Sequence, residues 1–293
     1  MLMREVFPSP ITVLAGHAGT GKTNTALGLA LALAHEGCRV TLADVDIVNP
    51  YFRSSDYPEL LGSAGIRLIA PVLARTTLDT PSLTGELDAA IEQASPSNRI
   101  VIDVGGDDDG ATALGRWSAK LRAADARMLY TVSAFRSITA DPQEAAEMLP
   151  GIEAHCHLEA SGILNASNLG DETTLEHVRA GRFFAAGVSD MLGLPIHATV
   201  IPLVAARKAF VPGVLAASDA SSEALGAEHP DLEARFASIA PEAIVRMVAE
   251  GAALSAMAVD LPAKVVTEQL TEGAPDLEPL VIAPRFVRTP WED

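Results

Sequence analysis

The chain has 293 residues, of which 48% are hydrophobic but only 4% aromatic, and a net charge of −17. This composition suits one large α/β domain whose core is built from Ala, Leu, Val and Ile, as in helix-covered parallel sheets. So acidic a surface repels nucleic-acid phosphates and anionic lipid and disfavours non-specific adhesion to either. Two cysteines, Cys38 and Cys156, stand far apart and outside any C-x-x-C spacing, which argues against a disulfide framework or structural zinc and for a reducing cytoplasm.

The first strand candidate, ITVLAG (11–16), runs into Gly16-His17-Ala18-Gly19-Thr20-Gly21-Lys22-Thr23, a match to G-x-x-x-x-G-K-[ST]. Its glycines let successive N–H groups turn inward toward phosphate oxygens, and the helix expected over 22–36 adds a favourable dipole. Lys22 is the residue for the β- and γ-phosphates and Thr23 for Mg²⁺. Within that helix ALGLALALA (26–34) resembles a signal-peptide core. It is too short to span a bilayer and follows a turn-like loop, so it is read as a buried helix of an unexported, soluble chain.

RVTLAD (39–44) leads into ADVDIVNPYFR, whose Asp44 and Asp46 place two carboxylates at a strand end near the phosphate loop. One is suited to hold metal-bound water and the other to position an attacking water; the alternative is an Asp-rich turn closed by Asn49 and Pro50. After IRLIAP (66–71) and a helix over 84–94, RIVIDVG (99–105) ends in Asp103, the place for a carboxylate completing a magnesium shell. Gly105 and Gly106 permit backbone approach to a γ-phosphate. The run Asp107–Asp109 reads as a solvated helix-capping face.

A helix over 111–123 precedes RMLYTVS (127–133), and Arg136, like Arg53, lies just past a strand end where phosphate or an acidic substrate is met. After a helix over 141–149, His155-Cys156-His157 alternates as a strand would, without the partners a metal site requires. GILNAS (162–167) ends in the run NASNLG, where Asn165 offers the donor and acceptor of an amide to a base edge, or simply builds the turn. No N-K-x-D run is present, which favours adenine over guanine. A helix over 173–191, the strand HATVIP (197–202) and a helix over 205–217 complete an alternation that predicts a parallel sheet with ligands beyond the carboxyl ends of its strands. The pattern changes there, so a nucleotide-binding domain is expected over 1–217 and a helical extension with a proline-rich tail over 218–293.

With the phosphate loop, the D-x-D, the D-x-G-G strand end and the late Asn in this order, residues 10 to 215 resemble the ParA/MinD group of P-loop ATPases. The resemblance implies a three-layer α/β/α fold around a seven- or eight-stranded, mostly parallel sheet. It also implies bound ATP or ADP with Mg²⁺, and a homodimer that sandwiches two nucleotides. By motif it makes Asp46 the water-positioning carboxylate with Asp44 beside it, Asp103 the magnesium-shell residue and Asn165 the adenine reader. The group's loop reads K-G-G-x-G-K-[ST], and its first lysine reaches the partner's phosphates. Here His17 and Ala18 replace that lysine and a glycine, and a histidine is shorter and mostly neutral at pH 7. Slow hydrolysis is therefore expected, or an arginine such as Arg53 or Arg136 in the missing role. The cysteine spacing argues against an iron-sulfur cluster, and no basic surface or amphipathic tail points to nucleic acid or membrane. Three readings follow: a nucleotide switch acting on an unknown protein partner, an ATP-dependent ligase of the dethiobiotin or cobyrinate amidation type holding an acid on Arg53, Arg136 and Ser133, or an adaptor without useful turnover.

Overall fold

The computed structural model describes residues 2–46, 53–71, 85–106, 108–136, 141–202, 205 and 280–283. In chain order they form α1 (Met3–Val6), β1 (Ile11–Ala15), α2 (Lys22–His35), β2 (Arg39–Asp44), α3 (Pro58–Ser63), β3 (Arg67–Ile69), α4 (Glu86–Glu92) and β4 (Asn98–Asp103). They continue as α5 (Asp108–Gly115), α6 (Ser118–Ala123), β5 (Arg127–Val132), α7 (Pro142–Cys156), β6 (Ala160–Asn165), α8 (Leu175–Leu192), β7 (Ile196–Pro202) and β8 (Leu280–Ala283). The strands make one eight-stranded sheet in the order β3-β2-β4-β1-β5-β6-β7-β8. Every neighbouring pair is parallel, as the near-continuous apolar strands require.

The strands β1 to β6 send alternate side chains into two cores. Ile11, Val13, Ile100 and Ile102 join Leu87, Leu114, Leu149 and Val188 on the face covered by α4 to α8. Leu14, Leu42 and Val101 join Val6, Leu27, Leu31 and Leu61 on the face covered by α1 to α3. The molecule is thus a three-layer α/β/α fold, as expected. The Ala/Leu-rich α2 buries residues along most of its length, from Thr25 through Leu31. No helix among the described residues is long and apolar enough to cross a membrane.

Four local expectations are corrected. The helix expected over 111–123 is two helices broken at Arg116 and Trp117. A Cβ on Gly115 would stand 2.9 Å from the carbonyl oxygen of His155, so α5 stops where α7 crosses close to it. The helix over 141–149 continues through Pro150 to Cys156, because packing of Leu149 and Cys156 into the core outweighs the hydrogen bond that proline removes. His155-Cys156-His157 is therefore a helix end, with His157 at φ 54°, and not a strand. Among the described residues no cluster of His, Cys, Asp and Glu can hold a metal by itself. Finally, the proline-rich tail contributes β8, which extends the sheet beside β7 in register Thr199 to Leu280. The boundary at 217, the helix expected over 205–217 except for its first residue, the helical extension expected after 217, Asn49, Pro50 and Asp107 lie outside the described residues.

Candidate functional site

β1 is central, with β4 on one flank and β5 on the other, so the turn after its carboxyl end opens at the sheet's switch point. That turn is the stretch Gly16–Thr23. Gly16, Gly19 and Gly21 have φ of 150°, 75° and 93°. Each is also hemmed in: a Cβ on Gly16 would lie 2.4 Å from the carbonyl oxygen of Thr131, and one on Gly21 would lie 3.3 Å from the Cβ of Ala166. Only glycine satisfies both conditions at these positions.

The His17 carbonyl organises the loop from within. It accepts from the Thr20 hydroxyl at 2.9 Å and from the Lys22 ammonium at 2.9 Å, and the Thr20 N–H reaches it at 3.3 Å. Lys22, the first residue of α2, is 6% exposed and so stays inside the curl of the loop. The His17 ring turns back to the carbonyl of Ala18 at 3.1 Å.

On the β4 flank Asp103 ends its strand, in register with Leu14 of β1 and Asp44 of β2. It is 3% exposed, and its Oδ1 has no hydrogen-bond partner. Burial pushes its carboxyl up to about 7, with Asp44 adding in the same direction, while Lys22, Thr23 and Ser54 pull it down. The Ser54 Oγ stands near it yet is itself unpaired, so their closeness is not a completed hydrogen bond. A desolvated carboxylate oxygen with nothing to bind, beside two hydroxyls at the mouth of a phosphate loop, is a donor set that fits Mg²⁺.

Asp44 stands differently. Its Oδ2 accepts from Arg53 Nε at 3.0 Å and from the Ser55 N–H at 3.2 Å, and its Oδ1 accepts from the Asp46 N–H at 3.0 Å. Both residues of the Arg53–Asp44 ion pair are buried. Asp44 thereby fixes the backbone at Asp46 and occupies Arg53. The Asp46 carboxylate turns toward the next strand end, where a Cβ on Gly105 would meet its Cγ at 3.2 Å. Gly106 in turn passes so close to the loop that a Cβ there would lie 2.5 Å from the Ala18 nitrogen. Asp46, Gly106 and Asp103 therefore share one side of the loop.

On the β5 and β6 flank, Arg136 lies over the loop, with its guanidinium carbon 2.8 Å from a Cβ built on Gly19. Arg53 and Arg136 thus follow strands on opposite flanks of β1, and Ser133 is buried. Asn165 is 1% exposed. Its Oδ1 accepts from the Ser167 N–H at 3.2 Å and the Ser167 hydroxyl at 2.7 Å, and its Nδ2 donates to Thr199 at 3.2 Å. These bonds tie its amide into the sheet end, with both its oxygen and its nitrogen engaged. Asn168, half-buried, stands closer to the loop, its Nδ2 3.7 Å from a Cβ on Gly21. Ser54 went unnoticed in the sequence because it belongs to no motif; only the fold of the segment after Arg53 brings it to Asp103.

Residues 11–55, which span β1, the loop, α2 and β2, match the family model described as the CobQ/CobB/MinD/ParA nucleotide binding domain. The chain is 43% identical over 61 residues to the iron-sulfur cluster carrier protein of Escherichia coli, a stretch covering 21% of this chain and 15% of that protein. It is 52% identical over 40 residues to the iron-sulfur cluster carrier protein of Pseudomonas fragi, 14% of each. The matched stretch thus spans a small part of these relatives' length. FtsY from Mycoplasma mycoides shares 19% identity across 64% of this chain and 58% of its own, with a TM-score of 0.44. The relatives' names overturn the exclusion of an iron-sulfur connection drawn above. Cysteine spacing speaks only to the ligands one chain supplies by itself.

Proposed function

We propose that the chain carries a P-loop nucleotide-binding domain of the ParA/MinD type that binds Mg²⁺ with ATP and hydrolyses it slowly to ADP and phosphate, using the cycle to control a homodimer or a protein partner. The observation that carries this reading is the unpaired, buried Asp103 oxygen facing the phosphate loop at Lys22 and Thr23. Asp103 and Thr23 would hold the cation. Bound there, Mg²⁺ would supply positive charge against the charge that develops on the phosphate. Lys22 exchanges the His17 carbonyl for the β- and γ-phosphates, while the loop N–H groups and the α2 N-terminus take the rest of the diphosphate. Asp46, held by Asp44 and directed at Gly105, orients water for in-line attack. Support for slow turnover comes from His17, which puts an imidazole where the resembling ATPases carry a lysine.

The test is equilibrium binding of fluorescent ATP, ADP and GTP with Mg²⁺ or with chelator, alongside light scattering in each nucleotide state. Lys22→Ala should weaken ATP by about 10- to 100-fold, the cost of losing a charged hydrogen-bond donor. Full affinity in that variant would refute the loop assignment. A second reading, favoured by the 43% identity to iron-sulfur cluster carriers, makes a cluster the cargo whose transfer the nucleotide controls. Anaerobic incubation with iron and sulfide, followed by gel filtration and visible absorption, distinguishes the two: no cluster-dependent absorption on the eluted protein removes it.

A further inference from the structure

The loop has a second cation at its edge, on the flank that the motif does not describe. Arg136 follows β5 and lays its guanidinium against Gly19, the middle of the loop; a Cβ there would come within 2.8 Å of the guanidinium carbon and 3.0 Å of Nε and Nη1. No carboxylate among the described residues pairs with it. The other arginine at a strand end, Arg53, is already neutralised by Asp44. Arg136 keeps solvent-exposed surface, yet the protein around it desolvates the guanidinium enough to lower its pKa. A partly desolvated cation without a carboxylate partner among the described residues, lying against a glycine-rich turn at a helix N-terminus, lacks only an anion.

We infer that Arg136 is a phosphate-binding residue, entering from the β5 side to neutralise the part of the nucleotide that ATP and ADP share. The inference rests on the nucleotide reading above and extends it. The side is argued from the sheet. Asp103, Asp46 and Gly106 gather on the β4 flank, so the cation and the terminal phosphate belong there. Arg136 and Asn168 approach from the β5 and β6 flank, so Arg136 meets the inner phosphates. It supplies within one chain a positive charge that the loop lacks at His17. Its planar fork suits two phosphate oxygens at once, which an ammonium cannot reproduce.

The experiment compares wild type, Arg136→Gln and Arg136→Lys for binding of fluorescent ADP and ATP with Mg²⁺, across a series of salt concentrations, with thermal unfolding as a check on the fold. Arg136→Gln should weaken both nucleotides by about tenfold or more at low salt and flatten the dependence of affinity on salt. Arg136→Lys should keep that salt dependence while recovering only part of the affinity. Unchanged affinity in Arg136→Gln would overturn the inference. So would a loss with the salt dependence intact, because a merely structural contact carries no charge to screen. Wild type binding neither nucleotide would refute the nucleotide reading itself, and this inference with it; that result is separable because it appears before any variant is made.

Discussion

Replacing Asp103 with Asn separates what this carboxylate does for the fold from what it does for the site. The carboxyl rises from 3.8 to about 7, chiefly by burial and secondarily by Asp44. The native state therefore binds a proton more tightly than the unfolded chain does. Between these two values the folded protein holds a proton that the unfolded chain has released, so stability falls as pH rises across that window and the loss is complete above about 7. At about 1.4 kcal/mol per pH unit, the stability lost is ~4 kcal/mol. Asparagine resembles the protonated acid in shape and stays neutral throughout. In metal-free urea unfolding, wild type and Asp103→Asn should be nearly equal at about pH 4, and the variant should lead by up to ~4 kcal/mol at about pH 8. Mg²⁺ with nucleotide should raise the midpoint of wild type at the higher pH by more than that of the variant, and the part of the rise that chelator removes should be absent from the variant. A difference between the two proteins that is constant with pH would refute the argument, because Asp103 would then not be the desolvated carboxylate that the cation site requires.

Other outcomes follow from the same geometry. Gly106→Ala sets a methyl 2.5 Å from the backbone nitrogen of Ala18. It should cost nucleotide binding about 1–3 kcal/mol by displacing the loop, and calorimetric titration with ADP would show this as a loss of about 5- to 150-fold. His17→Lys should raise steady-state phosphate release; an unchanged rate would mean that another cation already supplies the charge. Tyr130→Phe removes a buried hydroxyl that donates to the Ala145 carbonyl at 2.6 Å. It should lower stability by about 0.5–1.5 kcal/mol in urea unfolding and leave nucleotide affinity unchanged.

Much of this molecule was legible in one dimension. The seven strands from Ile11 to Pro202 were each predicted within about two residues, because apolar runs bounded by turn residues are local signals. The Gly16–Thr23 loop was legible for a related reason: a backbone with φ positive at Gly19 and Gly21 demands glycine, and that demand is written in the sequence. What failed had a non-local cause. The break after Gly115 depends on the approach of α7, and the continuation of α7 past Pro150 on a core that includes Met128 and Leu149. LVIA at 280–283 has too few residues to show a period, and becomes β8 only beside β7.

The functional residues divide in the same way. The types and spacing of Lys22, Thr23, Asp46 and Asp103 determined by themselves that this chain reads as a phosphate-binding loop with carboxylates at neighbouring strand ends. Which charge answers which was decided by the order of strands. Placing β2, β4, β1 and β5 side by side leaves the Asp44 oxygens to Arg53 and Ser55, seals Asn165 against Ser167 and Thr199, leaves an Asp103 oxygen unpaired and lays Arg136 on Gly19. Hydrophobic period and backbone strain act over a few residues and survive in a linear text. Electrostatic pairing and desolvation act between residues tens of positions apart, and exist only once the sheet has brought them together.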